Sequence, residues 1–150
     1  MKIKIVLLMV LLGSLLFSGC AGRAGLGISF VGQLPSEGTA LIVQDATRQL
    51  VELYPPGRTS LHLLVPEQVD AFSQSFENSL RKQGFTLSPR GDVVVSYVLD
   101  ALQDVTPPAW YLQLKITESA RSTTLARTYS AAGKPIAGFS CLKTGGESNE

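Results

Sequence analysis

Five residues, Leu16-Phe17-Ser18-Gly19-Cys20, decide where the folding part of this chain begins, because they close a short apolar run at its start. Lys2 and Lys4 precede the run, and 5–17 is apolar except for Gly13 and Ser14. That is about 13 residues, the length of the apolar part of a secretory leader and short of the ~20 that span a bilayer as a helix. Residues 1–19 therefore read as a signal peptide that is removed, with Cys20 the first residue of the mature protein.

The small residues before Cys20 resemble the lipobox of bacterial lipoproteins, with Phe17 where a leucine is usual and Leu16 one place further out. The resemblance implies that the Cys20 sulfur takes a diacylglycerol and the new amino terminus a further acyl chain, the palmitate-type anchor. At ~0.8 kcal/mol per buried methylene and more than one chain, such anchoring is effectively permanent. Residue 21 is Ala and not Asp, which in similar Gram-negative lipoproteins points to the outer membrane, so function is expected at its periplasmic face. The alternatives are an ordinary leader with an incidental Cys20, or an uncleaved anchor.

The leader inflates the hydrophobic fraction of 45%. Of the 13 Lys+Arg, Lys2 and Lys4 leave with it, which sets 11 against 12 Asp+Glu, a formal net charge of −1. A near-neutral domain has no basic field to attract nucleic acid or acidic lipid, so no direct nucleic-acid binding is expected. The mature chain is one domain's worth.

Four stretches follow. Residues 21–37 hold glycines 22, 25, 27 and 32, few large apolar side chains and Pro35, so 20–38 reads as a flexible tether. Ile28, Phe30 and Val31 interrupt it, as a docking peptide or as an edge strand on the domain. Residues 39–142 form the domain, and 143–150 a polar tail expected to be disordered.

Within 39–54, Val43, Ala46, Leu50, Leu53 and Tyr54 fall on one helical face, with Asp45, Arg48, Gln49 and Glu52 on the solvated one. Pro55 and Pro56 end that helix. Residues 59–65 alternate as a strand, with Leu61, Leu63 and Val65 inward. A second helix is expected over 67–83 after Pro66, with Val69, Phe72, Phe76 and Leu80 as a buried stripe and Gly84 as its end cap. Phe85-Thr86-Leu87 is a possible short extended piece. Residues 93–99 are β-branched on both faces, as in a central strand. In 110–117, Trp110, Leu112, Leu114 and Ile116 alternate with Tyr111, Gln113, Lys115 and Thr117. A last strand over 123–130 puts Leu125 and Tyr129 inward. The order α-β-α-β-β-β implies an α+β fold, with two helices on one face of a mostly antiparallel four-stranded sheet.

Catalytic chemistry has little to stand on. The acidic residues are scattered, Asp100 and Asp104 flank one loop better read as polar than as a cation site, and His62 is the single histidine. There is no glycine-rich phosphate loop, no G-x-S-x-G and no C-x-x-C. No catalytic, cofactor or metal residue is assigned and no enzyme activity is expected. Cys141, the remaining thiol, is expected to be buried beside Phe139, the alternative being an intermolecular bridge.

The lipobox, the run Leu50-Val51-Glu52-Leu53-Tyr54-Pro55-Pro56-Gly57-Arg58-Thr59, the 72–84 helix and Tyr97-Val98-Leu99-Asp100 together resemble TrbH, the lipoprotein family of plasmid conjugal-transfer systems. The resemblance covers roughly 39–139. It implies an accessory of mating-pair formation, the type IV secretion apparatus, held by its lipid at the outer membrane and partnered by other envelope or channel proteins. Pro107, Pro108, Trp110 and Tyr111, on the loop and strand of the last hairpin, are the expected interaction residues, since aromatic side chains near an edge serve as interface anchors. Tyr111 is the better probe because Trp110 is in the inward phase. A general envelope lipoprotein that assists another outer-membrane component, or a periplasmic ligand-binding domain, are the alternatives.

Overall fold

The computed structural model describes residues 28–145. The expected signal peptide, Cys20, the expected tether up to residue 27 and residues 146–150 lie outside the described residues. In chain order the elements are β1 (Phe30–Val31), α1 (Thr39–Leu53), a single 3-10 turn (Pro56–Arg58), β2 (Ser60–Leu63), α2 (Ala71–Lys82), β3 (Thr86–Leu87), β4 (Val93–Ala101), β5 (Ala109–Glu118), β6 (Arg121–Ser130) and β7 (Ser140–Gly145).

The helices form for the reasons their sequences give. Ile42, Val43, Ala46 and Leu50 supply the buried stripe of α1, which stops before the fixed backbone of Pro55. Asp70 caps α2 by accepting from Ser73 N at 2.8 Å, so the helix starts after Asp70 and not at residue 67. Val69 consequently lies outside it, 66% exposed, while Phe72, Phe76 and Leu80 are buried as their spacing requires. The far end of the α1 stripe also differs from expectation: Leu53 is exposed and Tyr54 half-buried where Pro55 and Pro56 end the helix.

Both helices contribute buried side chains to the same core as the sheet, but the sheet is larger than four strands and is mixed. It has seven strands in the order β3-β2-β4-β5-β6-β7, with β1 on β4. β4, β5, β6 and β7 pair antiparallel. β2 pairs parallel with β4 and with β3, the arrangement a helical crossover through α2 permits. β1 pairs parallel with the second half of β4, so β1 and β2 share one edge of that strand end to end. Ser29 lies at the junction, its hydroxyl donating to Leu64 O and accepting from Tyr97 N. Of the two readings open for Ile28, Phe30 and Val31, the strand is the one found for Phe30 and Val31.

The core is an aromatic cluster under aliphatic layers. The Phe72 and Phe76 rings lie 5.5 Å apart, and the Tyr97 ring from β4 lies 5.4 and 5.6 Å from them. Tyr97 donates to Ser73 Oγ at 2.8 Å, and Ser73 in turn bonds to Asp70, which ties the cap of α2 to the central strand. Truncating either phenylalanine to alanine costs about 3–5 kcal/mol at such positions.

The C-terminal end also departs from expectation. Ser140–Gly145 pairs with β6 as an edge strand, so residues 143–145 belong to the sheet. Cys141 on that strand is exposed, not buried. It pairs with Leu125 at the sheet's margin, and the apolar neighbour expected for it, Phe139, covers Arg127 instead.

Candidate contact site

The expected interaction residues separate in space. Trp110 is buried and donates from Nε1 to Gln33 O at 2.9 Å, while Gln33 N donates to Asp100 Oδ1 at 2.9 Å. The indole is thus a clamp for the incoming N-terminal arm and not a surface anchor. Tyr111, one residue on, is half-buried on the opposite sheet face, across from Asp100 on β4 and Thr128 on β6. Pro107 and Pro108 are exposed on the loop leading into β5. That sheet face also carries Phe30 and Val98, directly paired, with Ile28 at 88% exposure just before them.

Asp100 serves backbone bonding to Gln33 and Ala101, and Asp104 is exposed in the loop. His62 is half-buried on β2 opposite Val94. Among the described residues no group of three or more His, Cys, Asp or Glu could hold a metal ion, and no helix is long and apolar enough to cross a membrane.

A second locus was not expected. Asp45, which helical spacing placed on the solvated face of α1, is only 6% exposed. Its Oδ2 accepts from Arg127 Nη1 and from the Tyr129 hydroxyl, each at 2.8 Å, and its Oδ1 accepts from Arg48. Arg127 is held from its other side by Phe139, whose ring centroid lies 3.8 Å from the guanidinium carbon, and its Nε is a buried donor with no acceptor among the described residues. The sequence did hold a signal. Leu125 and Tyr129 are inward on β6, so Arg127 shares their phase, and an inward arginine requires a carboxylate from whatever covers it. Burial and the bond to Asp45 push the Tyr129 hydroxyl far above its ordinary value, with the two arginines opposing. Arg48 pairs with Asp45 and also, at 3.9 Å, with Glu52 one turn further along α1.

Beside this cluster runs a groove of about 560 Å³, lined by α1, by Ser79 and Gln83 near the end of α2, and by the Gly133–Lys134–Pro135 turn. Gly38 and Gly133 fix that turn against the start of α1. Both have left-handed φ, 92° and 73°, and a Cβ on Gly133 would meet Gly38 O at 2.2 Å. Thr47 Oγ1 and Ser79 Oγ, 2.9 Å apart, join the two helices within it.

Set against known families, residues 25–145 match the family model described as Conjugal transfer protein TrbH. Comparison with curated proteins and with solved structures gave no match.

Proposed function

Because the chain belongs to the family of the conjugal transfer protein TrbH, we propose that it is an accessory lipoprotein of a plasmid conjugation system. It is anchored through Cys20 at the periplasmic face of the outer membrane and acts by contact with other envelope proteins of the type IV secretion channel. The observation that carries this reading is the family match over residues 25–145, which takes in both helices and every strand described.

The disposition of ionisable groups supports contact over turnover. Asp45, the most buried acid among the described residues, is spent on Arg127, Tyr129 and Arg48, an arrangement that holds α1 to β6 and leaves no free base or nucleophile at that point. Tyr111 with Pro107 and Pro108 forms the contact surface, while Trp110 acts from beneath by holding Gln33. Aromatic side chains of this kind concentrate binding energy at interfaces, where losing one costs about 2 kcal/mol or more.

Membrane fractionation with metabolic labelling by an alkyne analogue of palmitate tests the anchor. Wild type should label and fractionate with the outer membrane, and Cys20→Ser should do neither. Equal labelling of the two would refute lipidation at Cys20, and absence of any crosslinked envelope protein in a conjugating cell would leave a general envelope lipoprotein as the better reading.

A further inference from the structure

We propose that the groove beside α1 docks a peptide segment of a partner protein, one that carries a carboxylate flanked by aliphatic side chains. Charge is the first argument. The Asp45 charge is consumed by two guanidiniums and a phenol within the cluster. Of the cations at the rim, Arg48 is paired with Asp45 and lies 3.9 Å from Glu52, whereas Lys134 has no acidic partner among the described residues. Among the charged residues that line the groove, Arg48 and Lys134 stand against Asp45, which leaves one net positive charge, carried by the exposed Lys134. An acidic side chain entering beside Lys134 meets a cation that has no acidic partner of its own among the described residues.

Shape and chemistry narrow the ligand further. About 560 Å³ suits a few residues of extended chain and not a folded surface. Leu41 and Val51 give the lining an aliphatic character on α1, while Gln44 and Gln83 offer amide donors and acceptors to a peptide backbone. The turn is held rigid by the Gly38–Gly133 packing, so binding loses little to ordering of this wall. A single-stranded nucleic acid fits less well, since its binding relies on aromatic stacking platforms and no aromatic side chain lines the groove. The proposal rests on the contact reading above only for the partner's being a transfer protein.

The test uses the full-length lipoprotein in detergent and a fluorescent peptide of alternating glutamate and leucine, with the glutamine–leucine peptide of equal length as control. The glutamate peptide should bind about tenfold more tightly or better, an affinity difference an ion pair of this kind supplies. Lys134→Glu should weaken it about tenfold, Lys134→Arg should restore it, and added salt should weaken it. Equal binding of the two peptides, no saturable binding of either, indifference to Lys134→Glu, or tighter binding of a single-stranded oligonucleotide would overturn the proposal. Peptide binding is read without plasmid transfer, so a chain that binds the peptide but is dispensable for transfer refutes only the conjugation reading.

Discussion

Asn in place of Asp45 keeps the shape of the side chain and removes the charge that Arg127 was folded against. Arg127 would then be a buried guanidinium, 14% exposed, without its carboxylate, and breaking a buried pair from one side costs about 3 kcal/mol or more. Arg48, 59% exposed, binds the same carboxylate from solvent, and Arg48→Ala should cost under about 1 kcal/mol. Urea unfolding of the two variants decides it: a large midpoint shift for Asp45→Asn and a small one for Arg48→Ala are expected, and equal shifts would show that the cluster is not a unit. Cys141 offers a second check at this scale. Exposed on an edge strand, it should react with a maleimide in the folded Cys20→Ser protein as fully as in urea, and protection until unfolding would contradict its placement.

Elements with strong periodicity were legible before any coordinates. The Phe72, Phe76, Leu80 stripe and the alternation of β5 name their buried residues correctly. Thr86–Leu87 falls within the short extended piece read at 85–87, while the shortfall has physical causes: β1 is two residues, too short to show a period, and a strand's alternation is the same whether its neighbour runs parallel or antiparallel, which hid the β2–β4 pairing. The Asp45 cluster was illegible from α1 alone, because its partners lie 82 and 84 residues away on β6. The α2–β4 packing carries its own pH signature. Burial, aided by the nearby charges of Asp70 and Glu77 and opposed by the Ser73 hydrogen bond, raises the Tyr97 hydroxyl from 10.0 to about 12. The unfolded chain therefore loses this proton first, so the stability tied to it is intact below about pH 10 and declines as pH rises toward 12. Thermal unfolding followed by circular dichroism should show a flat Tm up to about pH 10 and a fall above it, shallower in Tyr97→Phe. A Tm in wild type unchanged up to pH 11.5 would contradict the burial of Tyr97 and, with it, of Tyr129.

At the scale of the molecule, the N-terminal arm is fastened to the sheet at Ser29, Gly32 and Gln33, next to Ile28 and Phe30. The face carrying those residues continues across β4 to Tyr111, while the groove between Arg48 and Lys134 is lined by helix α1 and the 133–135 turn. Under the proposed function, these two surfaces give one small domain two places at which to touch envelope proteins. Both substitutions meant to probe them, Tyr111→Ala and Lys134→Glu, act on residues outside the fully buried core. The decisive measurement is plasmid transfer frequency in a strain deleted for this gene and complemented with wild type, Cys20→Ser or Tyr111→Ala. Deletion and Cys20→Ser should both depress transfer, wild type should restore it, and Tyr111→Ala should restore it at least about tenfold less well at equal protein level, as loss of an aromatic anchor implies. Transfer that is unchanged by the deletion would contradict a role in conjugation altogether.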